Sequence, residues 1–237
     1  MAFATILTIG NELVSGDVPN TNAPWIAQRL APLGVAVRLM AVVPDEIETI
    51  ASFVGLEAPR TDFLFVTGGL GGTPDDLTRE ALAHAFRLEQ KEVVELAADL
   101  RARFTRDPEY AARWARLPVG SRPLANPLGG APGFAIGNVY VLPGLPGEMQ
   151  AMFASVEEEF RRGSPIGTWR RTYSTAESRI AAILAEAEQR FPGVLVGSYP
   201  SFHPDGPEVE VVVKSSDAAE LRAASAWLAA ALEAPSS

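Results

Sequence analysis

A chain of 237 residues that is 47% hydrophobic and 21% charged can bury an ordinary globular core, which excludes intrinsic disorder and leaves room for one large domain and a small one. Its 20 basic and 29 acidic side chains give a net charge of -9, so a nucleic-acid backbone is repelled, and no local basic patch in the sequence offsets that field. The lack of cysteine excludes disulfides and thiolate metal sites, and with only His84 and His203 an imidazole-rich site is not expected; a metal here would be a hard cation on oxygen ligands.

Residues 4–9 form a short β-branched, apolar run suited to a buried strand, followed by a polar, glycine-containing loop over residues 10–22. No basic region precedes that strand and the first basic residue is Arg29, so no secretory signal is read and a cytoplasmic protein is expected. Asn22 is placed to cap a helix with Ile26, Leu30 and Leu33 on one face and a stop at Gly34. A second strand spans residues 35–43. Pro44-Asp-Glu46 opens a second helix to about residue 57, and residues 62–67 form a third strand that runs into Thr67-Gly-Gly-Leu-Gly-Gly-Thr-Pro-Asp-Asp76. A third helix is expected to begin near Asp75 or Asp76.

This order predicts parallel βαβ units with helices on both sheet faces, and ligands at the carboxyl ends of the strands. The loops at residues 10–22, 44–45 and 68–76 are expected to converge there, with Asp45 and Asp76 facing one cavity lined by the backbone of residues 68–71. Residues 90–117 read as helical. The uncharged stretch 123–147 holds five prolines and six glycines, too many for a membrane helix; strands are expected at 133–136 and 139–142, then a helix over 146–160. Residues 163–167 read as a linker, dividing the chain into domains 1–165 and 170–237. In the second, a strand near 171–175, a helix over 178–190, strands at 194–198 and 208–214, and a last helix capped by Asp217 with Glu220 make a small α+β unit of β-α-β-β-α order, ferredoxin-like or a close relative.

Gly68, Gly69, Gly71 and Gly72 let backbone approach a phosphate closely, and Thr67, Thr73 and the next helix N-terminus add donors. The segment has neither the Lys-Ser/Thr of a P-loop nor Gly-x-Gly-x-x-Gly spacing. Asp75 and Asp76 beside it suit a divalent cation, Mg²⁺ or another, or a base near phosphate. An acid there also serves as a helix cap. In either role Asp76→Asn is expected to leave folding nearly untouched; as a cap it would keep turnover, and as a cation ligand or base it would lose metal-dependent hydrolysis by at least about tenfold. Asp45 sits at the same predicted edge, again as a catalytic acid or a helix-start acid, while Glu12 and Asn22 occupy the first loop. His84 and His203 are expected to pack or face solvent.

Gly10-Asn-Glu-Leu13, Gly16, Asn20-Thr-Asn22, Thr67-Gly-Gly-Leu-Gly71, Thr73-Pro-Asp-Asp-Leu-Thr-Arg-Glu80, Asn126-Pro-Leu-Gly129, Ala131-Pro-Gly133 and Leu142-Pro-Gly-Leu-Pro-Gly-Glu-Met149 together resemble the CinA family, in its N-terminal molybdopterin-binding, MoaB/Mog-like domain. The resemblance runs from residue 4 to about 160, and Ala176-Glu-Ser-Arg-Ile-Ala181 is similar to the small domain that follows. It implies a three-layer α/β/α fold with a mainly parallel sheet. It also implies catalytic roles for Asp45 and Asp76, with a phosphate held by Thr67, Gly68, Gly69, Leu70 and Gly71, and a pocket completed by Asn126, Gly133, Pro143, Gly144 and Glu148. The ligand it implies is a phosphorylated pterin, molybdopterin among them, or a nucleotide.

Three functional readings follow from the resemblance: a metal-dependent pyrophosphatase acting on ADP-ribose or a related dinucleotide, a non-catalytic pterin or nucleotide binding module, and a molybdopterin adenylyltransferase-like enzyme. A homodimer is expected by the same analogy. Gly72 stands where the family has proline and Gly130 where it has threonine or alanine, which points to a more flexible loop. Full-length members continue into an amidohydrolase domain that deamidates nicotinamide mononucleotide; this sequence does not contain it, and that activity is not expected.

Overall fold

The computed structural model describes residues 2–233, which divide into two compact units, one of residues 2–30 and 36–161, the other of residues 31–35 with the chain from 162 onward. The larger unit begins with β1 (Ala2–Ile9), a single turn α1 (Asn11–Val14) and α2 (Asn22–Leu30). Then come β2 (Val35–Val43), α3 (Ile47–Glu57), β3 (Phe63–Thr67) and α4 (Thr78–Phe86). A six-stranded sheet has the order β2-β1-β3-β8-β7-β6, with β6 at Arg122–Leu124, β7 at Gly133–Ile136 and β8 at Val139–Leu142. β1, β3 and β8 run parallel, from Ala4↔Phe63 to Thr8↔Thr67 and from Leu64↔Val139 to Thr67↔Leu142, while β7 pairs antiparallel with both β8 and β6.

Every residue of β3 and β8 is buried. That is the condition of strands covered by helices on both faces, and it explains why they read as unbroken apolar runs. Alternation along β3 divides the core. Leu64 and Val66 pack with Ile50 and Val54 of α3 and with Ala81 and Leu82 of α4. Phe65 turns to the other face, where its ring lies 4.8 Å from Phe160 and 5.7 Å from Phe153 of α7 (Pro146–Val156). These two faces make the three layers.

Local differences from the expected elements have local causes. Residues 90–117 are not one helical stretch: β4 (Gln90–Glu92) pairs antiparallel with β5 (Arg116–Pro118) around α5 (Val94–Arg103) and α6 (Pro108–Ala112). The third helix starts at Thr78, three residues later than Asp75, because the acids belong to the loop. Asn22 is already helical, and Asn20 does the capping, its Oδ1 accepting from the Ala23 amide at 3.2 Å.

The smaller unit contains β9 (Gly167–Tyr173), α8 (Glu177–Arg190), β10 (Leu195–His203), β11 (Gly206–Ser215) and α9 (Ala218–Glu233). Its antiparallel sheet has the order β10-β11-β9, and the hairpin closes at His203↔Gly206. Val213 packs with Ala187, Ala224 and Leu228, and Val209 and Val211 with Ile180. Asp217 caps α9, its Oδ1 accepting from Ala219 and Glu220 amides at 2.8 and 3.1 Å. Glu220 does not return to Asp217; it accepts from the Gly193 amide instead. Among the described residues no helix is long and apolar enough to cross a membrane.

Candidate active site

At the carboxyl ends of β1, β3 and β8 a cavity of about 590 Å³ opens within the larger unit. The three loops converge on it. Glu12, Asn22, Asp45, Gly68, Gly69, Leu70, Gly71, Asp75, Asp76, Pro143, Gly144 and Glu148 all line it, so Asp45 and Asp76 share one cavity with the loop backbone. Thr67, Thr73, Asn126 and Gly133 are not part of this lining. Thr67 is fully buried at the end of β3, Thr73 is exposed, and Gly133 admits the Val141 carbonyl oxygen and the Met152 sulfur to 2.3 and 2.6 Å of where a Cβ would lie.

Two loop glycines are required by the backbone. Gly68 has φ +105° and a Cβ there would meet the Ile9 carbonyl oxygen at 2.2 Å; Gly69 has φ +61°. The Thr78 hydroxyl donates to the Gly68 carbonyl at 2.8 Å and the Thr78 amide to that of Gly69 at 3.2 Å. Asp76 does not cap α4, whose N-terminus has no side-chain cap. Its Oδ1 accepts from the Gly71 amide at 2.8 Å, and its Oδ2 accepts from the Thr73 amide at 2.8 Å and the Thr73 hydroxyl at 2.5 Å. Asp76 therefore folds the loop back on itself. The amides of Gly69 and Leu70, which both line the cavity, donate to no other group among the described residues.

Asp45 is anchored across the sheet edge. Its Oδ2 accepts from the Asn11 amide at 2.8 Å, and its own amide donates to Asn11 Oδ1 at 3.3 Å. Desolvation pushes the Asp45 carboxyl above the usual aspartate range, against the Asn11 hydrogen bond, and the negative charges of Glu12, Asp75 and Asp76 push it the same way. Asn126 holds Glu148 from behind, donating to its Oε2 at 2.9 Å and to the Ala131 carbonyl at 3.1 Å. Asn22 Nδ2 donates to the Gly144 carbonyl at 2.8 Å, tying the first loop to the segment after β8.

The cavity wall carries five carboxylates, those of Glu12, Asp45, Asp75, Asp76 and Glu148, and no Lys, Arg or His. By themselves they do not close on a metal: no group of three or more acidic, His or Cys side chains among the described residues is placed to hold one. Both departures from the family pattern are filled in space. A Cβ on Gly72 would lie 2.5 Å from Tyr110 Cζ, and a Cβ on Gly130 would lie 2.4 Å from Glu148 Oε1. The Tyr110 ring thus lies against the loop at Gly72.

Sequence reasoning missed Asn11, Arg79, Tyr110 and Trp114. Asn11 and Arg79 stood inside quoted motifs, but their partners, Asp45 and the Leu70 and Gly71 carbonyls, are visible only in the fold. Tyr110 and Trp114, which is part of the cavity wall, come from the α6 excursion and carry no local signal.

Residues 5–162 match the family described as probable molybdopterin binding domain, and residues 172–236 that described as FAD synthase, middle domain. A protein of Archaeoglobus fulgidus is 36% identical over 198 residues, covering 82% of this chain and 84% of its own. A CinA-like protein of Frankia casuarinae is 40% identical over 206 residues, covering 79% of this chain but 48% of its own, so the chain spans about half of that relative's length. Among solved structures, the protein CinA from Thermoplasma acidophilum is 32% identical with a TM-score of 0.63, over 67% of this chain and 98% of that one. With the glycine loop, the paired edge acids and the parallel sheet in place, the chain belongs to the probable molybdopterin-binding domain family, among its CinA-like proteins.

Proposed function

We propose that this protein is a metal-dependent pyrophosphatase acting on ADP-ribose or a related dinucleotide. The observation that carries this reading is the wall of five carboxylates without a basic side chain, beside a loop that offers unclaimed amides. Amides at Gly69 and Leu70 suit a phosphate, yet a diphosphate would be repelled by these acids unless a cation accompanied it. The donor set, all hard oxygen, fits Mg²⁺, which would supply charge neutralisation at the phosphoryl oxygens. Asp75 would be the acid to hold it, together with the substrate's own phosphate oxygens, the oxygens of Asp76 being already engaged by the loop.

In this reading the Gly69 and Leu70 amides orient one phosphate and Asp45 accepts a proton from the attacking water. The new P–O bond forms as the bridging P–O bond breaks, and the departing phosphate carries away the electron pair. A raised Asp45 pKa suits a base better than an ordinary aspartate would. Incubation with ADP-ribose and Mg²⁺ should release AMP and ribose 5-phosphate, chelation should stop it, and Asp45→Asn should lower the rate at least about tenfold, or about 1.4 kcal/mol of transition-state stabilisation. Tight binding of ADP-ribose with no release of AMP would replace this reading with the non-catalytic module. That alternative draws support from Asp76, whose carboxylate serves the loop.

A further inference from the structure

Arg79 is a cation in an unusual place. It is only 5% exposed, it forms no ion pair among the described residues, and its Nη1 and Nη2 donate to the carbonyls of Leu70 and Gly71 at 2.8 and 2.5 Å. Position 79 also lies in the first turn of α4, where the helix dipole disfavours a positive charge. Burial pushes its pKa down, offset by the charges of Glu80 and Asp76 and by Tyr110. A buried charge without a paired carboxylate is costly, and a neutral donor would satisfy the same carbonyls at less expense of desolvation.

The peptide between Leu70 and Gly71 is gripped at both ends, its carbonyl by Arg79 and its amide by Asp76. The next peptide has its carbonyl on Arg79 too. Both residues line a cavity whose wall has no positive side chain.

We propose that Arg79 is a positioning residue for anion binding: from beneath the loop its guanidinium supplies the positive charge that the cavity wall lacks, so that a phosphate docks at the Gly69 and Leu70 amides over a fixed cation. This rests on the reading of the loop as a phosphate site. The role is specifically one of charge, acting through Leu70 and Gly71 and not by contact with the ligand.

The test is titration calorimetry of ADP-ribose with Mg²⁺, and of inorganic pyrophosphate, against three proteins whose melting temperatures are also measured. Arg79→Gln keeps a donor and loses the charge; it should bind both probes about tenfold more weakly than wild type, while Arg79→Lys should stay within about threefold. Steady-state turnover should show the Gln loss in KM and not in kcat. Equal affinity of Arg79→Gln and wild type, or a Lys variant as weak as the Gln variant, overturns the proposal. Should Arg79→Gln fail to fold, Arg79→Lys decides alone: affinity near wild type supports the role of charge, and a tenfold loss in the folded protein overturns it. Wild type that binds neither probe ends the phosphate-loop reading and this inference together, whereas wild-type binding with an indifferent Arg79→Gln ends only the inference.

Discussion

Because both oxygens of Asp76 accept hydrogen bonds within the loop, Asp76→Asn should not be neutral for folding. An amide has one acceptor oxygen, and its NH₂ group would face either the Gly71 or the Thr73 amide, donor against donor. We expect a loss of about 1–3 kcal/mol, read as a lower melting temperature and denaturant midpoint. A variant with wild-type stability would show that these bonds are replaceable. Asp45→Asn should behave in the opposite way, because an amide keeps the acceptor for Asn11 and removes a charge the fold disfavours. The Asp45 carboxyl is raised in the folded state, so its stabilising contribution is present below the unfolded pKa and is lost as pH rises through the folded one. Melting of Asp45→Asn against wild type, from about pH 3 to about pH 7, should therefore show the variant gaining relative stability as pH rises. A difference that does not change with pH would remove the electrostatic explanation.

At the scale of elements, α6 meets the glycine loop where Tyr110 lies over Gly72. Tyr110 is itself supported by Trp114, their rings 5.8 Å apart at 71°. Gly72→Ala puts a methyl group into that ring and should cost about 1–3 kcal/mol, and most of the cost should vanish in the Tyr110→Ala background. A double-mutant cycle by chemical denaturation measures this, and strictly additive effects would show that the contact is not what restrains the loop. Legibility at this scale followed pattern strength. β3 and β8 were readable because strands buried on both faces need continuous apolar runs, and α2 because its apolar positions recur at helical spacing. β4 and β5 were not, since Gln-Lys-Glu and Arg-Leu-Pro are too short and polar to alternate.

For the molecule as a whole, the family analogy leads to a homodimer, and sedimentation at micromolar concentration should show a species of twice the 25.3 kDa chain. A single 25.3 kDa species would refute it. Composition and local order determined the fold class and the glycine loop itself, because each of these is a constraint on neighbouring residues or on totals. What the fold alone decided is which polar groups remain available. The Asn11–Asp45 pair joins residues 34 apart and the Asn22–Gly144 bond residues 122 apart; the loop clamp by Asp76 and Arg79 uses residues close in sequence, but only the folded turn aims their side chains at its peptides. A carboxylate in a sequence is equally a base, a metal ligand or a clamp. Hydrogen-bond partners brought in by chain closure use up some of its lone pairs and leave others, and that allocation exists only in three dimensions.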